Sequence, residues 1–155
     1  MFGVDNPRII AAVRAYVKLS RASRAVAAGT EARLTAAGIT HTQLGVLEAL
    51  LHLGPLTQRS LIDKVLTSPG NMTDIIDKLE QRGFVARCRA AADRRNVEVG
   101  LTKTGSSFIA GLFPAHAGDI AAAMNALTDA EIATLDQLLR RLGLGASACN
   151  AAKKD

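Results

Sequence analysis

The apolar residues near the start of the chain recur every three or four positions, which is the spacing of one face of a helix. This spacing predicts an amphipathic helix from Pro7 to about Ala28, with the proline in its first turn and a loop rich in Gly and Thr after it. A second helix is predicted from the capping-box pair Thr40 and Gln43 to Gly54. Because its sequence LGVLEALLHLG is apolar almost all round, we expect it to be buried at the centre of the fold.

Two short amphipathic helices follow, separated by a turn, and this order predicts a helix-turn-helix. Thr57 is the predicted N-cap of the first and Ser68 of the second, which has Pro69 at its first position and ends at Gly83. The predicted core positions of the second helix are Met72, Ile75, Ile76 and Leu79. After Phe84 the apolar period changes to two, so the runs FVARCR and NVEVGL are predicted to form a hairpin around AAADRR.

The last third of the chain predicts two long helices. The first begins at Thr102 and contains Pro114, which is expected to kink or break it. The second begins at the capping-box pair Thr128 and Glu131 and is expected to end at Gly143, before a frayed tail. In this order the elements predict a mainly α fold with a small β-wing, which is a winged helix-turn-helix.

The composition agrees with a single folded domain made chiefly of helices. Of the 155 residues, 48% are hydrophobic and only 3% are aromatic, which favours helices packed on helices over a β-sandwich. The two cysteines match no metal-ligand spacing, so neither a metal nor another cofactor is expected. The chain shows no signal peptide and no apolar run long enough to cross a bilayer, which predicts a cytoplasmic protein without a membrane partner.

Positive charge is concentrated in two places, and this favours an anionic partner such as nucleic acid. The net charge is +5, and the segment from Arg82 to Arg95 has five arginines and one aspartate. Two of these arginines lie in the hairpin turn, where they either are solvated or contact an anion. The first helix has a basic face that either is solvated or contacts DNA phosphate or a ligand carboxylate. This face consists of Arg14, Lys18, Arg21 and Arg24.

The run LTQRSLIDKVLTSPGNMTDIIDKLEQRGFVAR, followed by DRR and then LTKTG, resembles the multiple-antibiotic-resistance-type (MarR) family of transcriptional regulators over about residues 8–143. The resemblance implies a homodimer that binds double-stranded DNA. Its DNA-binding lobe would be formed by about residues 36–103, and its dimerisation helices by about 7–30 and 104–143. The wide apolar faces of the terminal helices favour the same dimer, because large exposed apolar patches usually mark an interface. A dimer implies a pseudo-palindromic operator.

In a winged helix-turn-helix, the N-terminal residues of the second helix of the motif meet base edges in the major groove. The candidates for this role are Ser68, Pro69, Gly70, Asn71, Thr73 and Asp74. Asn71 can pair with an adenine edge. Asp74 departs from the basic or neutral residue usual in the family, and its carboxylate would be repelled by DNA unless it accepts from a cytosine amino group. Lys78 is either a phosphate contact or a solvated residue. The other candidate phosphate contacts are Gln58, Arg59, Ser60, Arg87 and Arg89.

The resemblance assigns Asp93, Arg94 and Arg95 to the tip of the wing. One arginine would enter the minor groove while the aspartate holds an arginine in position through an ion pair. The electrostatics agree, because a narrow minor groove concentrates negative potential that an arginine can fill. Which of the two arginines enters is open. Together, the basic contacts predict a steep salt dependence of DNA binding.

The resemblance also implies a repressor that is released by a small phenolic or anionic ligand bound between the dimer helices and the DNA-binding lobe. The candidate lining residues, each of which could instead be a packed or surface residue, are Tyr16, His41, His52, Phe113 and His116. Two alternatives stay open. One is a thiol-redox-responsive regulator that uses Cys88, since its neighbours Arg87 and Arg89 favour the thiolate; the other is a winged-helix module that binds a protein rather than DNA. Catalysis is disfavoured, because the chain lacks a nucleophile elbow and a glycine-rich phosphate loop.

Overall fold

The structure is a computed structural model that describes residues 5–65, 67–89 and 97–151. It has the mainly helical fold with a small sheet that the sequence predicts. The elements are α1 (Pro7–Ala36), α2 (His41–Leu53), β1 (Leu56–Thr57), α3 (Gln58–Val65), α4 (Pro69–Gln81), β2 (Val85–Arg89), β3 (Val97–Leu101), α5 (Lys103–Ala123) and α6 (Asp129–Ala151).

The sheet has three antiparallel strands in the order β1-β3-β2. The predicted hairpin pairs Val85 with Leu101 at one end and Arg89 with Val97 at the other. The residues that join these two strands, 90–96, lie outside the described part of the chain. Strand β1 was not predicted, because its two residues are too few to show an alternating pattern. Leu56 pairs with Val99, which ties the start of α3 to the wing.

The hydrophobic core lies among the end of α1, α2, α3, α4, the sheet and the first half of α5. All four predicted core positions of α4 are buried. The expectation that α2 is buried all round is only partly right. Leu53 is exposed, because the last turn of α2 extends beyond the face that its neighbours cover. The largest fully buried side chains include Leu34, Leu47, Leu61, Met72, Ile76, Leu79 and Ile109.

Two helix ends and one helix break were predicted wrongly. Helix α1 continues to Ala36 instead of ending near Ala28, because tertiary contacts to α2 and α5 hold the Gly- and Thr-containing segment in the helix. Helix α6 continues past Gly143 and Gly145 to Ala151, since each glycine costs a helix only about 1 kcal/mol and leucines flank the first of them. Helix α5 runs unbroken through Pro114, so the predicted break does not occur.

The predicted helix starts are confirmed by their capping hydrogen bonds. The Thr40 hydroxyl accepts from the Gln43 amide at 3.2 Å, and the Gln43 side chain accepts from the Thr40 amide at 2.9 Å. Thr128 and Glu131 make the same reciprocal pair at the start of α6. Of the helices within the described ranges, none combines the length and the hydropathy that a membrane span requires.

Candidate nucleic-acid interface

Helix α4 separates its polar residues from its apolar residues cleanly. Ser68 is the N-cap, its hydroxyl accepting from the Asn71 amide at 3.3 Å, and Pro69 occupies the first helical position. Met72 and the other three core positions are buried on one side. The opposite side is exposed and carries the whole set predicted to meet base edges, namely Ser68, Pro69, Gly70, Asn71, Thr73 and Asp74. Lys78 is exposed one turn further along.

Several of these polar groups are hydrogen-bonded within the motif. The Gln58 side-chain amide donates to the Thr73 hydroxyl at 2.7 Å, and that hydroxyl donates to the Pro69 carbonyl at 3.2 Å. The Asn71 side-chain amide donates one of its two hydrogens to the Thr67 hydroxyl at 2.6 Å, so its other hydrogen and its carbonyl oxygen can still pair with a base. Gln58 therefore joins α3 to α4 and fixes the orientation of Thr73.

The two residues after Gln58 differ in their environment. Arg59 is exposed at the start of α3. The hydroxyl of Ser60 lies 2.9 Å from the hydroxyl of Thr57, which also accepts from the Ser60 amide at 3.2 Å as the predicted N-cap of α3. Arg59 is thus presented to solvent, whereas Ser60 takes part in the cap.

The base of the wing is joined to α4 by Arg87. Its guanidinium donates to the carboxylates of Glu80 and Asp77, and its backbone amide donates to Glu80 at 3.1 Å. Arg89 is exposed two residues nearer the tip. The predicted tip residues Asp93, Arg94 and Arg95 lie outside the described residues. Cys88 is exposed on β2, opposite Glu98 of β3.

Sequence reasoning missed the role of Arg82, which it counted only as part of the basic cluster. The Arg82 guanidinium donates to the carbonyls of Gly38 and Ala37, the latter at 3.1 Å, and so fastens the end of α4 to the turn between α1 and α2. It also lies over the ring of Phe84, which stacks on Phe108. Arg82 is therefore a structural cation. Its position just before the stop at Gly83 was the one available signal.

A second candidate site is an open cavity of about 590 Å³ between α2 and α3. It is lined by His41, Thr42, Gly45, Glu48, Ala49, His52, Leu53, Lys64 and Val65. Of the predicted ligand residues, His41 and His52 line it directly. His116 and Phe113 lie behind it, with ring centroids 6.5 Å from His41 and 5.9 Å from His52 respectively. Tyr16 is elsewhere, in a groove between α1 and α6, so the structure does not bring it to this cavity.

The cavity contains one carboxyl group, that of Glu48. Burial raises the pKa of Glu48, and electrostatic interaction with the nearby imidazoles of His116 and His52 partly opposes this shift. His116 is only 4% exposed, and its Nδ1 has no hydrogen-bond partner within the described residues. His41 is held from α1, with Nε2 2.9 Å from the Thr30 hydroxyl and Nδ1 3.1 Å from the Glu31 carboxylate. His41 and His52, on the α2 side of the cavity, thus contact residues of α1 and α5 respectively.

The long helices α1 and α6 expose apolar side chains along most of their length. Within α6, none of the residues whose burial is described is buried. A groove of about 770 Å³ separates the two helices, lined chiefly by Ala, Val and Leu side chains. The exposed large residues on the two helices are Ile9, Val13, Tyr16, Val17, Leu138, Leu139, Leu142 and Leu144.

A helix-turn-helix whose second helix exposes a polar N-terminal face, followed at once by an antiparallel hairpin, defines a winged helix-turn-helix protein. The MarR family model matches residues 39–97, from the turn before α2 to the first residue of β3. The chain belongs to the MarR family of transcriptional regulators.

Comparisons with individual proteins agree. The chain is 31% identical over 134 residues to the HTH-type transcriptional regulator MhqR of Bacillus subtilis (strain 168), which covers 86% of this chain and 92% of that relative. A mutant MarR from E. coli, complexed with operator DNA, superposes with a TM-score of 0.73 at 25% identity, covering 87% of this chain and 95% of that one. BpsR of Bordetella bronchiseptica, whose DNA binding is regulated by 6-hydroxynicotinic acid, gives 0.71 at 26% identity, covering 80% and 89%.

Proposed function

We propose that the protein is a homodimeric repressor that binds a pseudo-palindromic operator and is released by a small phenolic or anionic ligand. The observation that carries the DNA-binding part is the polar N-terminal face of α4, from Ser68 to Asp74, exposed opposite four buried residues. The N-terminus of a helix presents a partial positive charge to a phosphate, and it brings the adjacent side chains to base edges.

Within this interface each residue has a proposed role. Asn71 and Thr73 contact base edges, and Asp74 accepts from a cytosine amino group or stays at the edge of the groove. Arg59, Lys78 and Arg89 contact phosphates, which gives affinity without sequence choice. One of Arg94 and Arg95 enters the minor groove, oriented by Asp93. The MarR structure from E. coli with operator DNA supports this mode of binding.

The homodimer is proposed from the exposed apolar faces of α1 and α6. A monomer rarely exposes so long an apolar surface, and a second copy of the same helices would cover it. In this division of the chain, α1, α5 and α6 hold the dimer together, while α2 to β3 form the DNA-binding lobe. Two lobes related by a two-fold axis would contact half-sites about one helical turn apart.

The ligand part of the proposal rests on the cavity between α2 and α3. Its volume is within the range of small-molecule sites, and α1, α2 and α5 meet behind it, so a ligand there would act on both the dimer helices and the lobe. BpsR, whose DNA binding 6-hydroxynicotinic acid regulates, supports an aromatic effector of this kind. A ligand that favours one spacing of the two lobes would lower the affinity for the operator.

Selection from a randomised DNA pool, followed by footprinting, tests DNA binding and the dimer together. We expect a dyad-symmetric site and an affinity that falls steeply with salt. Arg94→Ala with Arg95→Ala is expected to weaken DNA binding. It should also lower the slope of the logarithm of the binding constant against the logarithm of the salt concentration, by about 1 in magnitude for each phosphate that is no longer neutralised. The matched control is Arg140→Ala with Arg141→Ala, an adjacent exposed arginine pair on α6. Failure to select any site, or equal effects of the two double variants, would contradict the proposal.

The effector site is tested by titrating the operator complex with phenols and aromatic carboxylates, including 6-hydroxynicotinic acid. A compound that releases the DNA is expected to act at higher concentration on His52→Ala. Leu51→Ala, at the neighbouring position outside the cavity lining, is the control and is expected to respond like the wild-type protein. If His52→Ala and Leu51→Ala respond identically, the cavity is not the effector site.

A further inference from the structure

Arg87 lies on the wing and was predicted to contact a phosphate, but its side chain is hydrogen-bonded to two carboxylates of the protein itself. One side of its guanidinium donates to Glu80 and the other to Asp77, while its backbone amide donates to Glu80 at 3.1 Å. We propose that Arg87 is a positioning residue that fixes the wing to the recognition helix α4, and that it does not contact phosphate.

The geometry explains why an arginine at this position reaches α4. Alternate residues of a strand share a face, so Arg87 projects on the same side as Val85, which is 2% exposed and turned toward the body of the lobe. Asp77 and Glu80 are three residues apart and therefore lie on one face of α4. A planar guanidinium can bridge two such carboxylates, which a lysine ammonium cannot do with the same geometry.

The charge of α4 gives the bridge a second consequence. The helix proposed to enter the groove has three carboxylates, on Asp74, Asp77 and Glu80, and one basic side chain, on Lys78. Arg87 pairs with two of these carboxylates and offsets one of their two negative charges where the helix would approach phosphates. Hydrogen bonding to Asp77, opposed in part by desolvation and supported by the charge of Glu80, raises the pKa of Arg87 above its ordinary value.

The bridge couples the two parts of DNA recognition. The angle between α4 and β2 sets where the wing tip meets the minor groove when α4 is in the major groove. If Arg87 fixes this angle, its replacement should weaken operator binding although no group that touches DNA is removed. This consequence rests on the proposed DNA binding, whereas the attachment of β2 to α4 does not.

A double-mutant cycle separates a positioning residue from a phosphate contact. Arg87→Ala is measured in the wild-type background and in one that carries Asp77→Ala with Glu80→Ala. We expect Arg87→Ala to weaken operator binding about tenfold in the first background and less than about twofold in the second, because its partners are already gone. Arg89→Ala, on the same strand face two residues away, is the matched control and is expected to cost the same in both backgrounds.

Arg87→Lys is the second variant, in case the alanine variant is poorly folded. Lysine can still contact a phosphate but cannot span both carboxylates, so we expect operator affinity to fall, with the thermal midpoint checked in parallel. Equal losses of affinity for Arg87→Ala in the two backgrounds, or full affinity in Arg87→Lys, would overturn the proposal.

Amide hydrogen exchange of the free protein provides a measurement that needs no DNA. The β2 amides are expected to exchange faster in Arg87→Ala and in Asp77→Ala with Glu80→Ala than in Arg89→Ala. Unchanged β2 exchange in both variants would overturn the positioning role even if no operator is found. If the wild-type protein binds no DNA while the β2 amides still exchange faster in these variants, only the proposed DNA-binding function is refuted, and the positioning role of Arg87 stands.

Discussion

Gly105, in the first turn of α5, is placed against the backbone of Phe84 with no room for a side chain. A Cβ at this position would lie 1.9 Å from the Phe84 carbonyl oxygen. The contact is reinforced by Thr102, whose hydroxyl accepts from the Gly105 amide at 3.0 Å and donates to the Gly83 carbonyl at 2.6 Å. This one residue thus sets how closely α5 approaches the base of the wing.

Gly105→Ala is therefore expected to lower the free energy of unfolding by about 3 kcal/mol, because a methyl group cannot fit without moving the backbone. Gly111→Ala, later in the same helix and with open space around it, is the control and should raise that free energy by about 0.5 to 1 kcal/mol. Urea denaturation at one fixed protein concentration measures both. A Gly105→Ala protein as stable as the wild type would show that the approach of α5 is not tight.

Asp119 joins α5 to α1 through two hydrogen bonds from Arg33, one of them 2.9 Å long. These hydrogen bonds, helped by the charge of Arg33 and opposed by desolvation, hold the pKa of Asp119 below its ordinary value of 3.8. A carboxyl group with a lowered pKa in the folded state stabilises the fold above its unfolded pKa. This stabilisation is lost as the pH falls through the folded pKa.

Asp119→Asn should accordingly be less stable than the wild type at pH 7, and the difference should shrink as the pH is lowered below about 4. Unfolding by urea at a series of pH values measures it. Asp136→Asn, which removes an exposed carboxylate of α6, is the control and is expected to have little effect across the series. A difference that grows toward low pH would have the wrong sign for this ion pair.

At the scale of residues, local signals were predictable and tertiary partners were not. Ser68, Thr40 and Thr128 could be recognised as caps because a cap depends on neighbours within three or four positions. The partners of Arg87 depend on the angle between a strand and a helix, and the sequence pattern does not contain that angle. For the same reason Tyr16 was grouped with His52, although the two line different cavities.

At the scale of elements, helix α5 contains a proline that its sequence predicted would kink or break it. Pro114 lacks the amide that would complete one helical hydrogen bond, yet α5 continues for nine residues beyond it to Ala123. Packing of the flanking turns, with Ile109 and His116 buried on either side, holds the helix together. Element order was predictable from periodicity, but where a helix ends depended on such packing.

Pro114→Ala is expected to restore the missing hydrogen bond and to raise the free energy of unfolding by about 1 to 3 kcal/mol. Pro55→Ala, in the bend between α2 and β1, is the control. A proline outside a helix lowers the conformational entropy of the unfolded chain, so its replacement should not raise the free energy of unfolding. Thermal and urea unfolding report both changes. Equal or lower stability of Pro114→Ala would indicate that the proline is needed for the packing of α5.

At the scale of the whole molecule, the large apolar side chains of the DNA-binding lobe are mostly buried, whereas many of those on α1 and α6 are exposed. Leu138 of α6 and Leu53 at the end of α2 are both 54% exposed, but only Leu138 lines the groove between α1 and α6. Exposure alone therefore does not separate a leucine of the proposed dimer interface from a leucine elsewhere on the surface. The position of a leucine in the groove between α1 and α6 is what distinguishes the two.

Leu138→Glu is expected to shift the protein from dimer to monomer, because it would bury a charge in the proposed interface. Leu53→Glu, with the same exposure and the same change of charge, should leave the dimer intact. Sedimentation equilibrium over a range of protein concentrations measures the dissociation constant of each. If both variants have the same dissociation constant as the wild type, the dimer does not use this groove.

The sheet order has a consequence for exchanging parts between related regulators. Because β3 pairs with both β1 and β2, the segment from Leu56 to Leu101 begins and ends on the same small sheet, with Leu56 beside Val99 and Val85 beside Leu101. Segments with neighbouring ends tolerate transplantation best, since little chain has to be rebuilt at the junctions. This segment is therefore a natural cassette: a designer could replace α3, α4 and the wing together while keeping the original helical frame.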